Sequence, residues 1–195
     1  MPEISSLNLE SAKVEQSPFP HFTSNSVLSA EKISEVFNWF KDTRIWNLVE
    51  TDFYEQYEFS LLHTDLPENM KCLISEQSLF YIEQKYIKEF KVNSLKLVDV
   101  VAHKLVNDQR IGIHNDFING EETHRMVLHI NPYWQEDNGG LLLLFKSNKA
   151  EDMVKIIKPI DNTAFGFEIS RQSHHAVSKI YDFTRYTIVY TFKQI

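Results

Sequence analysis

With 195 residues, 43% apolar and 13% aromatic, the chain is expected to fold as one domain, 1–195, around a substantial core; five glycines and six prolines are too few for a low-complexity chain. A formal charge of −7, with no lysine or arginine run longer than a pair, excludes a nucleic-acid groove built on counterion release. The single cysteine, Cys72, excludes an internal disulfide, and Met1 to Val14 lacks the basic start and apolar run of a signal peptide. No apolar run approaches the roughly 18 residues of a membrane span, so the expectation is a soluble cytoplasmic protein with neither membrane nor nucleic-acid partner. Its oligomeric state is open.

Residues 1–17 are polar and without period, a tail or an edge segment, and "SPFPHF" then extends the chain because proline disfavours helix at the residue before it. Ser29 is placed to cap a helix whose Ile33, Val36, Phe37 and Phe40 make one apolar face, and a second helix begins near Ser75 with Leu79, Ile82, Tyr86 and Phe90. Between them, "WNLVETDFYEQYEFSLL" has the aromatic content of strand. From Leu95 the texture changes to eight short β-rich runs broken by polar turns, from "LKLVDVVAHKLV" to "RYTIVYTF", without the intervening helices of a parallel sheet. The predicted fold is mainly β with flanking α, a jelly-roll core over 95–195 with a tail and supporting helices and strands over 1–94.

The stretch "RIGIHNDFINGEETHR" carries the chemistry. In a strand, residues two apart face the same way, so His114 and Asp116 offer an imidazole and a carboxylate to one side, two legs of a 2-His-1-carboxylate metal site. Alone the pair is weak, since eight histidines and ten aspartates give about 0.4 chance matches in a chain this long. The later run "SHHAVSKIYDFTRYTIVYTF" adds His175 and, at the start of an apolar strand, Arg185, whose charge needs a reason to sit there.

These residues resemble the Fe(II)- and 2-oxoglutarate-dependent dioxygenases, in the branch similar to prolyl hydroxylases. The family pattern is H-x-D, about sixty residues, H, about ten residues, then R or K; here the intervals are 61 and 10. "HRMVLHINPYW", "NGGLLLLF" and "NTAFGFEISRQSHHAV" resemble the flanking strands, so the likeness spans about 97–195. The resemblance implies Fe(II) on His114, Asp116 and His175, the catalytic set, and 2-oxoglutarate held by Arg185, with O2 consumed and ascorbate helpful. His129 stands where many relatives have a tyrosine beside the co-substrate; it could donate to that carboxylate, with a pH-dependent grip. Arg125 shares strand parity with His129 and is a candidate for the substrate, its alternative being a salt bridge with Glu121 or Glu122. Trp134 and Tyr133 are candidates for the substrate mouth, or packing; His174 reads as an outward loop residue, and His124 as a solvated loop histidine. His21, His63 and His103 are assigned nothing.

The reaction implied is hydroxylation of an unactivated C–H of a peptide or protein side chain, a free amino acid or a small natural product, releasing succinate and CO2. Related halogenases replace the carboxylate at the Asp116 position with a small residue, and this chain keeps it. The alternatives are a non-catalytic jelly roll binding a metal or small ligand, and an oxygenase of the same kind catalysing desaturation or cyclisation.

Overall fold

The structure, a computed structural model, describes residues 6–52 and 54–195. Helix α1 (Ala30–Asp42) starts where Ser29, in extended backbone, accepts the Lys32 N–H at 3.1 Å, and it buries Ile33, Val36 and Phe40. Helix α2 (Glu76–Phe90) is capped by Ser75, which accepts the Ser78 N–H, and ends at Lys91 in the left-handed region. Ahead of α2, a 3-10 turn over Glu68–Ile74 that the periodicity does not predict sends Met70 and Leu73 into the core.

All eight predicted strands after Leu95 form: β5 (Leu95–Leu105), β6 (Ile111–His114), β7 (His124–Ile130), β8 (Leu142–Phe145), β9 (Met153–Ile157), β10 (Thr163–Glu168), β11 (His175–Val177) and β12 (Arg185–Gln194). The segment before them contributes β1 (Lys13–Glu15), β2 (His21–Asn25), β3 (Asn47–Glu50) and β4 (Glu55–Ser60). Among the described residues these make two antiparallel sheets, ordered β1-β2-β10-β7-β12-β5-β4-β3 and β6-β11-β8-β9, which face each other as a double-stranded β-helix. The early residues thus do more than support: β1 and β2 close one edge of the major sheet, and the β3–β4 hairpin the other. Leu7 and Leu9 are buried and β1 is an edge strand, so the edge reading holds for residues 6–17; residues 1–5 lie outside the described part.

Strand alternation divides the core in two. On β7 and β12, Met126, Leu128, Ile130, Ile188, Tyr190 and Phe192 face outward to α1 and α2 in the larger apolar cluster. Their neighbours of opposite parity, Arg125, Val127, His129, Arg185, Thr187 and Val189, face inward. A second cluster, including Leu142, Leu144, Phe165, Phe167 and Val177, joins the sheets. The inward face is therefore apolar at one level and charged at another, which is how a packed barrel comes to hold a polar cavity.

Candidate active site

His114 closes β6 and His175 opens β11; the two are direct cross-strand partners, their ring centroids 4.2 Å apart. Each ring is fixed from behind, His114 Nδ1 lying 2.9 Å from the Gly112 carbonyl and His175 Nδ1 2.8 Å from that of Ser173. A carbonyl only accepts, so each Nδ1 carries a proton and each Nε2 presents a lone pair. Both Nε2 atoms lie 3.3 Å from the Asp116 carboxylate, and one donor atom from each residue falls within 4.8 Å of the others. Asp116 does not arrive by strand parity: β6 has ended, and a left-handed turn at Asp116 (φ 60°) brings its side chain back, a conformation aspartate tolerates better than most residues.

Three acceptors aimed at one point are unfavourable unless a cation lies among them, so the donor set fits a divalent metal with open positions. Burial lowers His114, but Asp116 outweighs it and raises the group above its ordinary value, whereas burial prevails for His175 and holds it below. Desolvation works against the charge of the partly exposed Asp116, yet Arg125 and the two histidines keep its carboxyl well below the usual range.

The triad borders a cavity of about 330 Å³ that extends to Arg185. Arg185 is 4% exposed, its Nε has no hydrogen-bond partner, and among the described residues no carboxylate lies within 4.0 Å of its guanidinium. Burial pushes it down to about 10. Gly140 (φ 65°) makes room for its stem: a Cβ there would approach Arg185 Cδ to 3.0 Å and Ile180 Cδ1 to 2.7 Å, which accounts for the glycine pair before β8.

His129, paired across the ladder with Thr187, is wholly buried with neither ring nitrogen partnered. It lies behind the cavity lining, and burial together with Arg185 holds it well below the ordinary histidine value. Arg125 lines the cavity, but both sides of its fork are in use: Nη1 pairs with Asp116 at 2.7 Å and Nη2 with Glu122. The salt-bridge alternative is thus what forms, with Asp116 as an unforeseen second partner. Trp134 is not among the cavity-lining residues; its Nε1 donates to the Gly139 carbonyl at 2.9 Å and steadies the glycine turn. Tyr133 is exposed, and His174 sits in the loop before β11. His124 corrects the sequence reading outright: it is buried against Tyr86 and Phe90, and burial pushes it down to about 4. Sequence reasoning also passed over Gln56, Glu58 and His103, which form the wall of the cavity contributed by β4 and β5.

A double-stranded β-helix carrying an inward His-Asp-His cluster defines a class of oxygen-using metalloenzymes. Residues 100–193 match the family model described as the 2OG-Fe(II) oxygenase superfamily, and the architecture is prolyl-hydroxylase-like, which supports an oxidoreductase of the dioxygenase class. No curated protein matches the sequence. Among solved structures, it is similar to a Pseudomonas putida prolyl-4-hydroxylase (13% identity, TM-score 0.72, covering 90% of this chain and 92% of that one). It is likewise similar to a prolyl hydroxylase from Trichoplax adhaerens in complex with a hypoxia inducible factor oxygen degradation domain peptide fragment (16%, 0.73, 89% and 83%). A viral collagen prolyl hydroxylase from Paramecium Bursaria Chlorella virus-1, in a 2OG complex, is a third (12%, 0.66, 90% and 96%). The superfamily implies Fe(II), 2-oxoglutarate and O2. Among the described residues no helix is long and apolar enough to cross a membrane.

Proposed function

We propose that the protein hydroxylates an unactivated C–H of a peptide or protein side chain, a free amino acid or a small natural product, with His114, Asp116 and His175 holding Fe(II) and Arg185 holding 2-oxoglutarate. The observation that carries this reading is the pairing, in one cavity, of three converging acceptors with a buried arginine that lacks a counter-charge. When bound, iron and 2-oxoglutarate supply the oxidant: one oxygen atom of O2 enters the C–H bond, the other enters the succinate formed as the keto acid loses CO2. The residues supply order. The Gly112 and Ser173 carbonyls keep both Nε2 lone pairs on the metal, and Arg125 keeps Asp116 ionised and aimed. Arg185, 4% exposed, offers its fork to the distal carboxylate of the co-substrate, a bidentate, charge-assisted contact. His129 would donate to the same carboxylate from behind.

Peptide substrates draw support from the Trichoplax neighbour, which is seen with one. Anaerobic addition of Fe(II) and 2-oxoglutarate should give the weak visible charge-transfer band of the chelate. The band should vanish in His175→Ala and survive in His174→Ala, since adjacent residues at the start of a strand diverge. A wild-type protein with no band and no consumption of 2-oxoglutarate would end the proposal.

A further inference from the structure

The wall of the cavity made by β4 and β5 consists of Gln56, Glu58 and His103. Glu58 is the cross-strand partner of His103, and Gln56 precedes it on the same face. Gln56 Nε2 donates to Glu58 Oε2 at 2.9 Å. A carboxylate cannot donate in return, so the amide is fixed with its Oε1 turned away, and that oxygen, on a side chain 4% exposed, has no partner. Glu58 itself has no cation. The only basic group within 4.0 Å among the described residues is His103, at 3.7 Å, and burial together with Arg125 and Arg185 pushes that histidine down to about 3, leaving it neutral. Lysine is not lacking nearby, but Lys104 of β5 takes the opposite face and stacks over the Trp46 and Tyr57 rings. A carboxylate less than a third exposed and without a cationic partner, beside an orphaned amide oxygen, is a costly arrangement for the protein alone.

Charge balance says what is missing. On the functional reading above, a divalent ion, Asp116, the Arg125–Glu122 pair, Arg185 and a dicarboxylate co-substrate cancel one another. Of the charged side chains lining the cavity, Glu58 alone then stays unbalanced. We infer that Glu58 and Gln56 form the substrate-recognition wall of this enzyme and that the substrate presents to them a cationic nitrogen, a protonated amine or a guanidinium. Glu58 supplies the counter-charge, Gln56 Oε1 accepts a second N–H, and the C–H to be oxidised lies across the cavity toward the triad.

This rests on the proposed function, and the test separates the two. The full chain is titrated with Mn(II), then 2-oxoglutarate, then N-acetyl-L-lysine N-methylamide or N-acetyl-L-arginine N-methylamide, with N-acetyl-L-norleucine N-methylamide as the neutral comparison, binding being read by NMR. At least one cationic probe should bind about tenfold or more tighter than the neutral one, the scale of a charge-assisted contact. In Glu58→Gln that preference should shrink to about twofold or less while Mn(II) and 2-oxoglutarate bind as in wild type. No preference in wild type, no binding of either cationic probe, or an undiminished preference in Glu58→Gln would overturn the inference. A cation preference that Glu58→Gln abolishes, in a protein that binds neither Mn(II) nor 2-oxoglutarate, would sustain it and remove the metal reading instead.

Discussion

Arg125 and Arg185 face the same cavity from neighbouring antiparallel strands and have opposite electrostatic circumstances. At the triad end, burial works against the charge of Arg125, but Asp116 and Glu122 more than offset it and hold the guanidinium above its ordinary value. At the other end burial acts on Arg185 unopposed. A cation with its anions in place belongs to the scaffold of the site; a buried cation without them is a binding determinant waiting for an anionic ligand.

The contrast breaks most visibly in stability. Arg125→Leu leaves Asp116 and Glu122 without their partner, and loss of one member of a partly buried charged pair should cost about 1–3 kcal/mol. Denaturant unfolding of the metal-free protein should show that loss, and a divalent ion should recover part of it by replacing the missing positive charge beside Asp116. An Arg125→Leu protein as stable as wild type would mean that the pairs with Asp116 and Glu122 contribute little. Arg185→Leu should do the reverse, leaving the metal-free protein as stable or more so, because it removes a charge that was desolvated for nothing.

Arg185→Leu should take its toll on the co-substrate. A bidentate contact to a carboxylate contributes about 1.5–3 kcal/mol, so 2-oxoglutarate affinity should fall roughly 10- to 150-fold while metal affinity holds. If affinity were unchanged, the role would pass to another group, and Arg125 is a poor one because its fork is occupied.

How much of this was legible in the sequence follows from what sets each feature. The eight strands, the Ser29 cap, the start of the second helix near Ser75 and the spacing of His114, Asp116, His175 and Arg185 are local or nearly linear, and alternation together with capping chemistry made them readable. The wall of Gln56 and Glu58 was not readable. A strand with Phe59 facing the helices and polar residues on the other face has the same pattern whether that face meets water or a cavity, and only the opposing sheet decides. His124 was misread because it borders a polar loop; its parity with Met126, Leu128 and Ile130 was the signal that it faces the apolar core. Asp116 lies beside His114 and His175, but not through the strand parity the sequence suggested, since the left-handed turn that aims it leaves no periodicity to find.

The smallest effect concerns His129, where the sequence suggested a pH-dependent grip. A histidine whose folded value is depressed stays neutral in the native state while the unfolded chain takes up a proton below about 6.5, so its contribution to stability is intact above that pH and is lost as pH falls. Burial and the facing Arg185 set this direction for His129. A co-substrate carboxylate seated on Arg185 would weaken the second influence and leave the first. His129 should then donate a single N–H as a neutral ring, and 2-oxoglutarate affinity of the metal-loaded protein, in which His114 and His175 no longer titrate, should change by about twofold or less between pH 6 and 8. Titrating wild type and His129→Phe side by side across that range gives the answer. An affinity that rises steeply toward pH 6 in wild type and is flat in the phenylalanine variant would show that His129 charges on binding, and that Arg185 shares the co-substrate with a second cation.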